Sequence, residues 1–354
     1  MVRWGILEFG KDLLIDPATR DVDDVTHDIL AVASSTSLDK ARSFLAVIKA
    51  PYTARAYGSY EALLADPDVE IVYIASPHSH HFPHARLALA ANKHVLLEKA
   101  FTVNGEQAKI LTAMAKERGL FLMEALWTRF FPLTRHVQQL VRDGRIGTVQ
   151  RILAERNLGR DVEKLYGTSH RLVNPDLAGG ALLDLAVYPL TWIRLFQHPE
   201  GWDRSGVSHV TSAMIPYEAT GVDETVTVVI TSPATKTQGV ATASLRLAAD
   251  PSEPGVRILG TQGQIQVFGP AARPDWIRVV TYGSSDPPES TSFPIPVGHG
   301  LFWEADECAR CIRDGRLESE TMPLEDTTWM MTVLDEVRLQ HKLRYSEELE
   351  STAV

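Results

Sequence analysis

The feature that most constrains this chain is a series of short, almost wholly apolar strands separated by helical stretches in its first third. Val2 to Leu7, Ile29 to Ser34, Glu70 to Ala75, Val95 to Leu97 and Leu120 to Ala125 all have this character. A strand apolar on both sides must be covered on both faces. The helices read between them, at 40–49, 60–65 and 82–91, supply that cover, so the pattern predicts a parallel, doubly wound sheet. Asn104 opens a further helix, and Gln107, three residues on, completes a capping box. A short strand is read from Tyr52 to Tyr57, and a short helical piece from Lys11 to Ile15, stopped by Pro17.

Near residue 127 the pattern changes. Long strands with intervening turns follow, at 147–157, 207–217, 224–232, 239–247, 255–268 and 276–282, which predicts a mostly antiparallel sheet. One strongly apolar helix, 181–196, interrupts them, and two helices, 301–314 and 325–342, close the chain. The loosest stretch is Asp286 to Ser292. At 354 residues the chain is long enough for two separate cores. The expected architecture is α/β plus α+β: residues 1–126 form the doubly wound domain and 127–354 an open-sheet domain.

The formal charge of −10 argues against nucleic acid or an anionic membrane surface as partner. The two cysteines, Cys308 and Cys311, stand alone in one C-x-x-C within a helical stretch, without the further ligands a zinc site needs. They read as reduced thiols of a cytoplasmic protein. Met1 runs directly into an apolar strand without a leader-like region, and no apolar stretch is long enough to span a bilayer. The histidines and carboxylates show no metal-ligand spacing.

Two stretches carry chemistry. The first is His94 to Asn104, where the Val95–Leu97 strand delivers Glu98 and Lys99 at its C-terminal end. Ligands bind at that end of strands in open α/β sheets, although a surface ion pair closing the strand accounts for the two charges as well. The second is Gly179-Gly180-Ala-Leu-Leu-Asp184-Leu-Ala-Val-Tyr188. Here Asp184 and Tyr188 share one helix face at i and i+4, Thr191 extends the stripe, and leucines and valines cover the rest. A carboxylate and a phenol on so apolar a helix need partners, and Gly179-Gly180 permits close approach at the helix start. Ser76, Pro77, His78 and His81 follow the third strand and are candidate cofactor contacts; capping the next helix is their other explanation. Trp127 and Arg129 are candidate substrate contacts, equally explained as an arginine stacked on an aromatic ring.

In this order and spacing, Ile74-Ala-Ser-Pro-His-Ser-His-His81, Glu98-Lys99, Glu124-Ala-Leu-Trp-Thr-Arg-Phe-Phe-Pro132, Gly179-Gly180-x-x-x-Asp184-x-x-x-Tyr188 and the tail Glu304-Ala-Asp-Glu307 resemble the glucose–fructose oxidoreductase/inositol dehydrogenase family. Within it they are most similar to the dimeric dihydrodiol dehydrogenases and NADP-dependent D-xylose 1-dehydrogenases. The resemblance covers essentially the whole chain. It implies a dinucleotide on the first domain, a sugar or diol substrate on the second, and a homodimer formed through the open sheet. It also implies catalytic roles for Lys99 and Tyr188, with Asp184 beside the substrate. Oxidising a hydroxyl requires a base for its proton while hydride leaves for the nicotinamide. A free phenol is a poor base at neutral pH. An ammonium about 4 Å away, at an effective dielectric of ~20, favours the phenolate by roughly 4 kcal/mol. Desolvation takes part of this back. Tyr188 is therefore expected to carry the proton and Lys99 to tune it.

The second strand ends in Ser34-Ser35-Thr36-Ser37, with Lys40 and Arg42 close behind, where NAD enzymes usually place an acidic residue. Hydroxyls and cations suit a 2′-phosphate, so NADP is expected over NAD. Two positions depart from the family. Gly5 and Gly10 are all that remains of the glycine-rich phosphate turn, which is several residues short and reads as a deletion, and Glu8 adds a negative charge there. Ala100 stands where the family commonly has proline. Two functions follow: a dehydrogenase acting on a sugar or diol hydroxyl, or a non-catalytic relative that senses ligands or binds partners.

Overall fold

A computed structural model describes residues 1–7, 22–35, 37–197, 209–296 and 298–353. The chain divides into two compact units. The first comprises Met1–Trp127, Ile295–Met331 and Glu348–Val354; the second comprises Thr128–Pro294 and Thr332–Glu347. The expected second domain, 127–354, is thus corrected: residues 295–331 and the last few residues group with the first unit.

The first unit is built on six strands: β1 (Val2–Leu7), β2 (His27–Ala33), β3 (Arg55–Tyr57), β4 (Ile71–Ile74), β5 (His94–Glu98) and β6 (Leu122–Ala125). Their order is β3-β2-β1-β4-β5-β6, and every pair is parallel. This is the doubly wound arrangement expected from the apolar runs. Val95, Leu96 and Leu97 are completely buried, as are Ile71 and Val72. The helices are Leu38–Val47, Tyr60–Leu64, His78–Ala90 and Gly105–Arg118. Asn104 caps the last of these, its side chain accepting from the Gln107 amide at 2.9 Å. The capping box itself is altered. Gln107 Oε1 accepts from the Val103 amide, and its Nε2 donates to the carbonyls of Leu349 and Ser351 at 2.7 and 3.0 Å. The cap residue therefore also ties down the end of the chain.

Buried polar links explain why the C-terminal segment joins this unit. Trp4 Nε1 donates to His27 Nδ1 at 3.0 Å, so the proton of a neutral His27 sits on Nε2, 2.8 Å from Asp306 Oδ1. Thr327 donates to Glu124 at 2.9 Å, and the Leu122 amide donates to the Leu317 carbonyl. Glu304 is fully buried, with no hydrogen-bond partner among the described residues. Burial, reinforced by Glu98, raises its pKa well above the usual carboxylate range. Such long-range polar pairings have no periodic signature in sequence.

The second unit carries an eight-stranded sheet: β7 (Val149–Asn157), β8 (His209–Pro216), β9 (Asp223–Ser232), β10 (Thr237–Ser244), β11 (Val256–Gly260), β12 (Gly263–Phe268), β13 (Trp276–Thr281) and β14 (Glu289–Ser292). Its order is β14-β13-β12-β11-β7-β10-β9-β8. Only β7 and β10 pair in parallel. The stretch 255–268, expected as one strand, is a hairpin, with Thr261 and Gln262 reversing the chain between Gly260 and Gly263. The loosest stretch by sequence supplies an edge strand, β14. The apolar helix is in two parts, a π-helical turn Leu182–Ala186 and an α-helix Val187–Gln197. It packs against β10 at Gly239, where any side chain would overlap Ile193. The first phosphate-turn residues, including Gly10, and the helical piece 11–15 lie outside the described residues.

Candidate active site

The predicted site residues fall into two groups, one in each unit. In the first unit Ser34, Ser35, Ser76, Pro77, His78, Glu98 and Lys99 follow the carboxyl ends of β2, β4 and β5. That is the ligand-binding edge of a parallel sheet. Glu98 is held from two sides: Tyr73 donates to its Oε1 at 2.6 Å, and the Lys99 amide donates to its Oε2 at 3.1 Å. The Lys99–Ala100 peptide is cis, and Lys99 is half-buried. In the helix that follows β2, Arg42 pairs with Asp39 at 3.2 Å, and Ser34 is buried and Ser35 exposed at this end of the strand. Its hydroxyls and the nearby Lys40 and Arg42 fit a phosphate-bearing dinucleotide better than one with a free ribose hydroxyl.

Two candidate cofactor contacts have other work. Gly5 lies inside β1, short of its end, and an added Cβ would stand 2.7 Å from Leu63 Cδ2 and 2.9 Å from Val69 Cγ1. Its bareness serves packing of the helix Tyr60–Leu64. His81 is fully buried, its Nδ1 2.7 Å from the Ala100 carbonyl and its Nε2 2.7 Å from the Ser76 carbonyl. Burial lowers its pKa to about 4 against the opposing pull of these carbonyls. Both nitrogens face carbonyls, of which a neutral ring can donate to only one at a time, so the ring links the turn after β4 to the turn after Lys99 and turns neither nitrogen toward a dinucleotide. His78 is the first residue of the helix His78–Ala90, which Pro77 precedes, and its ring lies edge-on to His81.

In the second unit Asp184 and Tyr188 lie on the helix described above, both largely buried. Arg171 Nη1 donates to Asp184 Oδ1 at 2.9 Å. His170, stacked on Tyr166 at 4.3 Å between ring centroids, has its pKa lowered by burial and by Arg171. The helix start is fixed by Asp223, whose Oδ2 accepts from the Leu182 amide. Gly180, with φ of +122°, makes room for that carboxylate. Arg156, at the end of β7, interacts electrostatically with both Tyr188 and Asp184. Sequence reading missed Arg156, His170 and Arg171. For Arg156 a signal existed: it continues the inward-facing register of Ile152 and Ala154. Trp127 and Arg129 share the short 3-10 turn Trp127–Phe130; Trp127 is half-buried and Arg129 buried. Among the described residues no group of three His, Cys, Asp or Glu side chains is arranged to hold a metal ion.

Residues 17–126 match the oxidoreductase family with an NAD-binding Rossmann fold, described as GFO_IDH_MocA. Residues 134–266 match the GFO/IDH/MocA C-terminal domain. The chain belongs to the GFO/IDH/MocA oxidoreductase family. Among its relatives, the D-xylose 1-dehydrogenase (NADP(+)) of Hypocrea jecorina is 45% identical over 98% of this chain and 93% of its own. The trans-1,2-dihydrobenzene-1,2-diol dehydrogenase of Bos taurus is 34% identical over 95% and 96%. A 3-ketoreductase from Actinomadura kijaniata, solved with NADP and TDP-benzene, superposes with a TM-score of 0.76. That likeness, at 23% identity over 96% of this chain and 97% of the other, is one of fold. The family match begins at residue 17.

Proposed function

We propose that this protein is an NADP-dependent dehydrogenase acting on a sugar or diol hydroxyl, of the D-xylose 1-dehydrogenase or trans-dihydrodiol dehydrogenase type. The observation that carries this reading is the 45% identity, across 98% of the chain, to an enzyme named for NADP and D-xylose. The residues fit: Ser34, Ser35, Lys40 and Arg42 receive the 2′-phosphate, and Ser76, His78, Glu98 and Lys99 line the sheet edge where a dinucleotide lies. When bound, the nicotinamide accepts or returns hydride. Tyr188 takes the proton of the substrate hydroxyl, Lys99 is the cationic catalytic residue of the first unit, and Asp184, oriented by Arg171, fixes the substrate by hydrogen bonding. Trp127 and Arg129 complete the substrate contacts.

A second copy of the chain covers the open sheet, giving a homodimer. Support comes from the alternation in β9, where Val226, Val228 and Ile230 are buried while Thr227, Val229 and Thr231 are half-exposed. Placement in the cytoplasm is supported by two free buried thiols, Cys308 and Cys311, and among the described residues no helix is long and apolar enough to cross a membrane.

The test is a fluorescence titration of the protein's tryptophans with NADPH and NADH, followed by turnover of D-xylose and a trans-dihydrodiol. NADPH is expected to bind more tightly than NADH, and Tyr188→Phe to lower kcat by about 100-fold or more. Absence of binding by either dinucleotide favours the non-catalytic reading that the short turn suggests. Near-normal turnover in Tyr188→Phe removes Tyr188 from the chemistry.

A further inference from the structure

We propose that the closing segment, residues 349–353, fixes the geometry of the turn that carries Lys99, with Gln107 as the positioning residue through which it acts. The proposal rests on Lys99 being the cationic catalytic residue of the reaction, and its test includes a readout that needs no turnover.

The short helix Glu347–Glu350 ends, like any helix, in carbonyls that no intrahelical donor reaches. Side chains elsewhere in the first unit take them up. Asn104 Nδ2 donates to the Glu350 carbonyl at 3.1 Å, and Gln107 Nε2 donates to those of Leu349 and Ser351 at 2.7 and 3.0 Å. From the helix His78–Ala90, Arg86 Nη1 donates to the Ala353 carbonyl at 3.0 Å. The segment is thereby fastened across two helices, one that starts just after the Lys99 turn and one that carries His81. Both amide side chains also work in the other direction. Asn104 Oδ1 accepts from the Gln107 amide at 2.9 Å, and Gln107 Oε1 accepts from the Val103 amide at 3.4 Å. An amide can do this because it joins a carbonyl acceptor to two N–H donors. An ionised aspartate or glutamate would cap the helix as well, but would set an oxygen against the carbonyls of the segment. Gln107 is only 2% exposed, so water does not replace its bonds when they are lost.

Between Lys99 and Asn104 the turn is buried throughout, from Ala100 to Val103. Its near end is held by Tyr73, which donates to Glu98 at 2.6 Å, and by His81, whose Nδ1 lies 2.7 Å from the Ala100 carbonyl. Its far end is held by Thr102, which donates to the Asn104 carbonyl at 2.8 Å, and by the Val103 amide on Gln107. Lys99 therefore stands on a stretch fastened at both ends, and the far fastening is itself secured by the closing segment. From Ser351 to Lys99 the connection runs through Gln107, Val103 and the buried turn, each step a hydrogen bond or a peptide bond. Positioning of this kind matters because misplacing a catalytic group by about 1 Å costs on the order of 100-fold in rate.

The experiment compares amide hydrogen exchange and steady-state kinetics in the wild type, in full-length Asn104→Ser and Gln107→Met, and in a chain ending at Glu348. Serine keeps the helix cap while removing the N–H that reaches Glu350. Exchange in the stretch 99–107 is expected to be about tenfold faster in Gln107→Met and in the shortened chain, and about threefold faster in Asn104→Ser, with the strands of the sheet unchanged. With NADP and D-xylose, kcat falls about tenfold in the shortened chain while KM for the sugar changes by less than about twofold. Gln107→Met adds little in the shortened chain, because both changes break the same link. Unchanged exchange at 99–107 overturns the proposal. A wild-type kcat in the shortened chain also overturns it, because the segment then contributes only stability, and fully additive effects refute Gln107 as the route. Should one variant fail to fold, the others decide. If the wild type turns over no sugar or diol, the proposed function fails, while the exchange rates still show whether the segment holds the turn.

Discussion

Replacing Asp223 with asparagine removes a buried carboxyl from the start of the helix that carries Asp184 and Tyr188. The residue is fully buried. Its Oδ2 accepts from the Leu182 amide, and its Oδ1 has no partner among the described residues. Burial raises its pKa from 3.8 to about 7, opposed by the amides at the helix start and by Arg338. The folded state therefore binds this proton more tightly than the unfolded chain does. The stabilisation is complete below pH ~4 and is lost as pH rises through about 7. A difference of about 3 units corresponds to ~4 kcal/mol at the alkaline end. Between pH 5 and 8 most of that range is crossed, so the wild type should lose about 3 kcal/mol that Asp223→Asn retains. Asparagine still accepts from Leu182, so the two proteins should differ little at pH 5. With roughly 2 °C per kcal/mol for a unit of this size, the variant should gain about 6 °C on the wild type by pH 8. Thermal melts of both proteins at half-unit pH intervals provide the measurement. Parallel profiles would refute the reasoning, because they would mean that Asp223 is ionised throughout and that the helix amides outweigh its burial.

Two further outcomes follow from the same geometry. Gly180→Ala places a Cβ against the Asp223 carboxylate at a φ of +122°, so the variant should lose about 3 kcal/mol or more in urea unfolding; an unchanged midpoint refutes the close approach. Burial raises the Cys311 thiol to about 12 and Cys308 well above its ordinary value. Neither should react with iodoacetamide at pH 8 until the protein is denatured, and rapid labelling of the native chain would contradict their burial.

The fold was legible where periodicity reports it. A strand buried on both faces has to be apolar throughout, and β4 and β5 announced the parallel sheet for that reason; the long strands with intervening turns announced the mostly antiparallel sheet. The assignment of residues 295–331 to the first unit was not legible, because it depends on single polar contacts such as His27 with Asp306 and Thr327 with Glu124. Asp306 and Thr327, read alone, pass for ordinary helix-surface residues. The hairpin in 255–268 was missed for a different reason: Gly260 and Gly263 stand in an otherwise continuous strand pattern, and two residues between them suffice to reverse the chain.

The candidate site divides along the same line. Residue type and distance along the chain singled out Lys99, Asp184 and Tyr188 as candidates, because unusual chemistry on an apolar element needs an explanation. They could not say which partner each residue meets, and partners decide roles. His81 has the sequence context of a cofactor contact, yet two carbonyls at 2.7 Å occupy both its nitrogens, and it serves as a brace. Gly5 has the position of a phosphate-turn glycine, yet Leu63 and Val69 fill the space beside it. Arg156 shows the converse. An arginine near a strand end attracts no notice, but the two-residue period of β7 puts it on the face of Ile152 and Ala154, where a charge is costly.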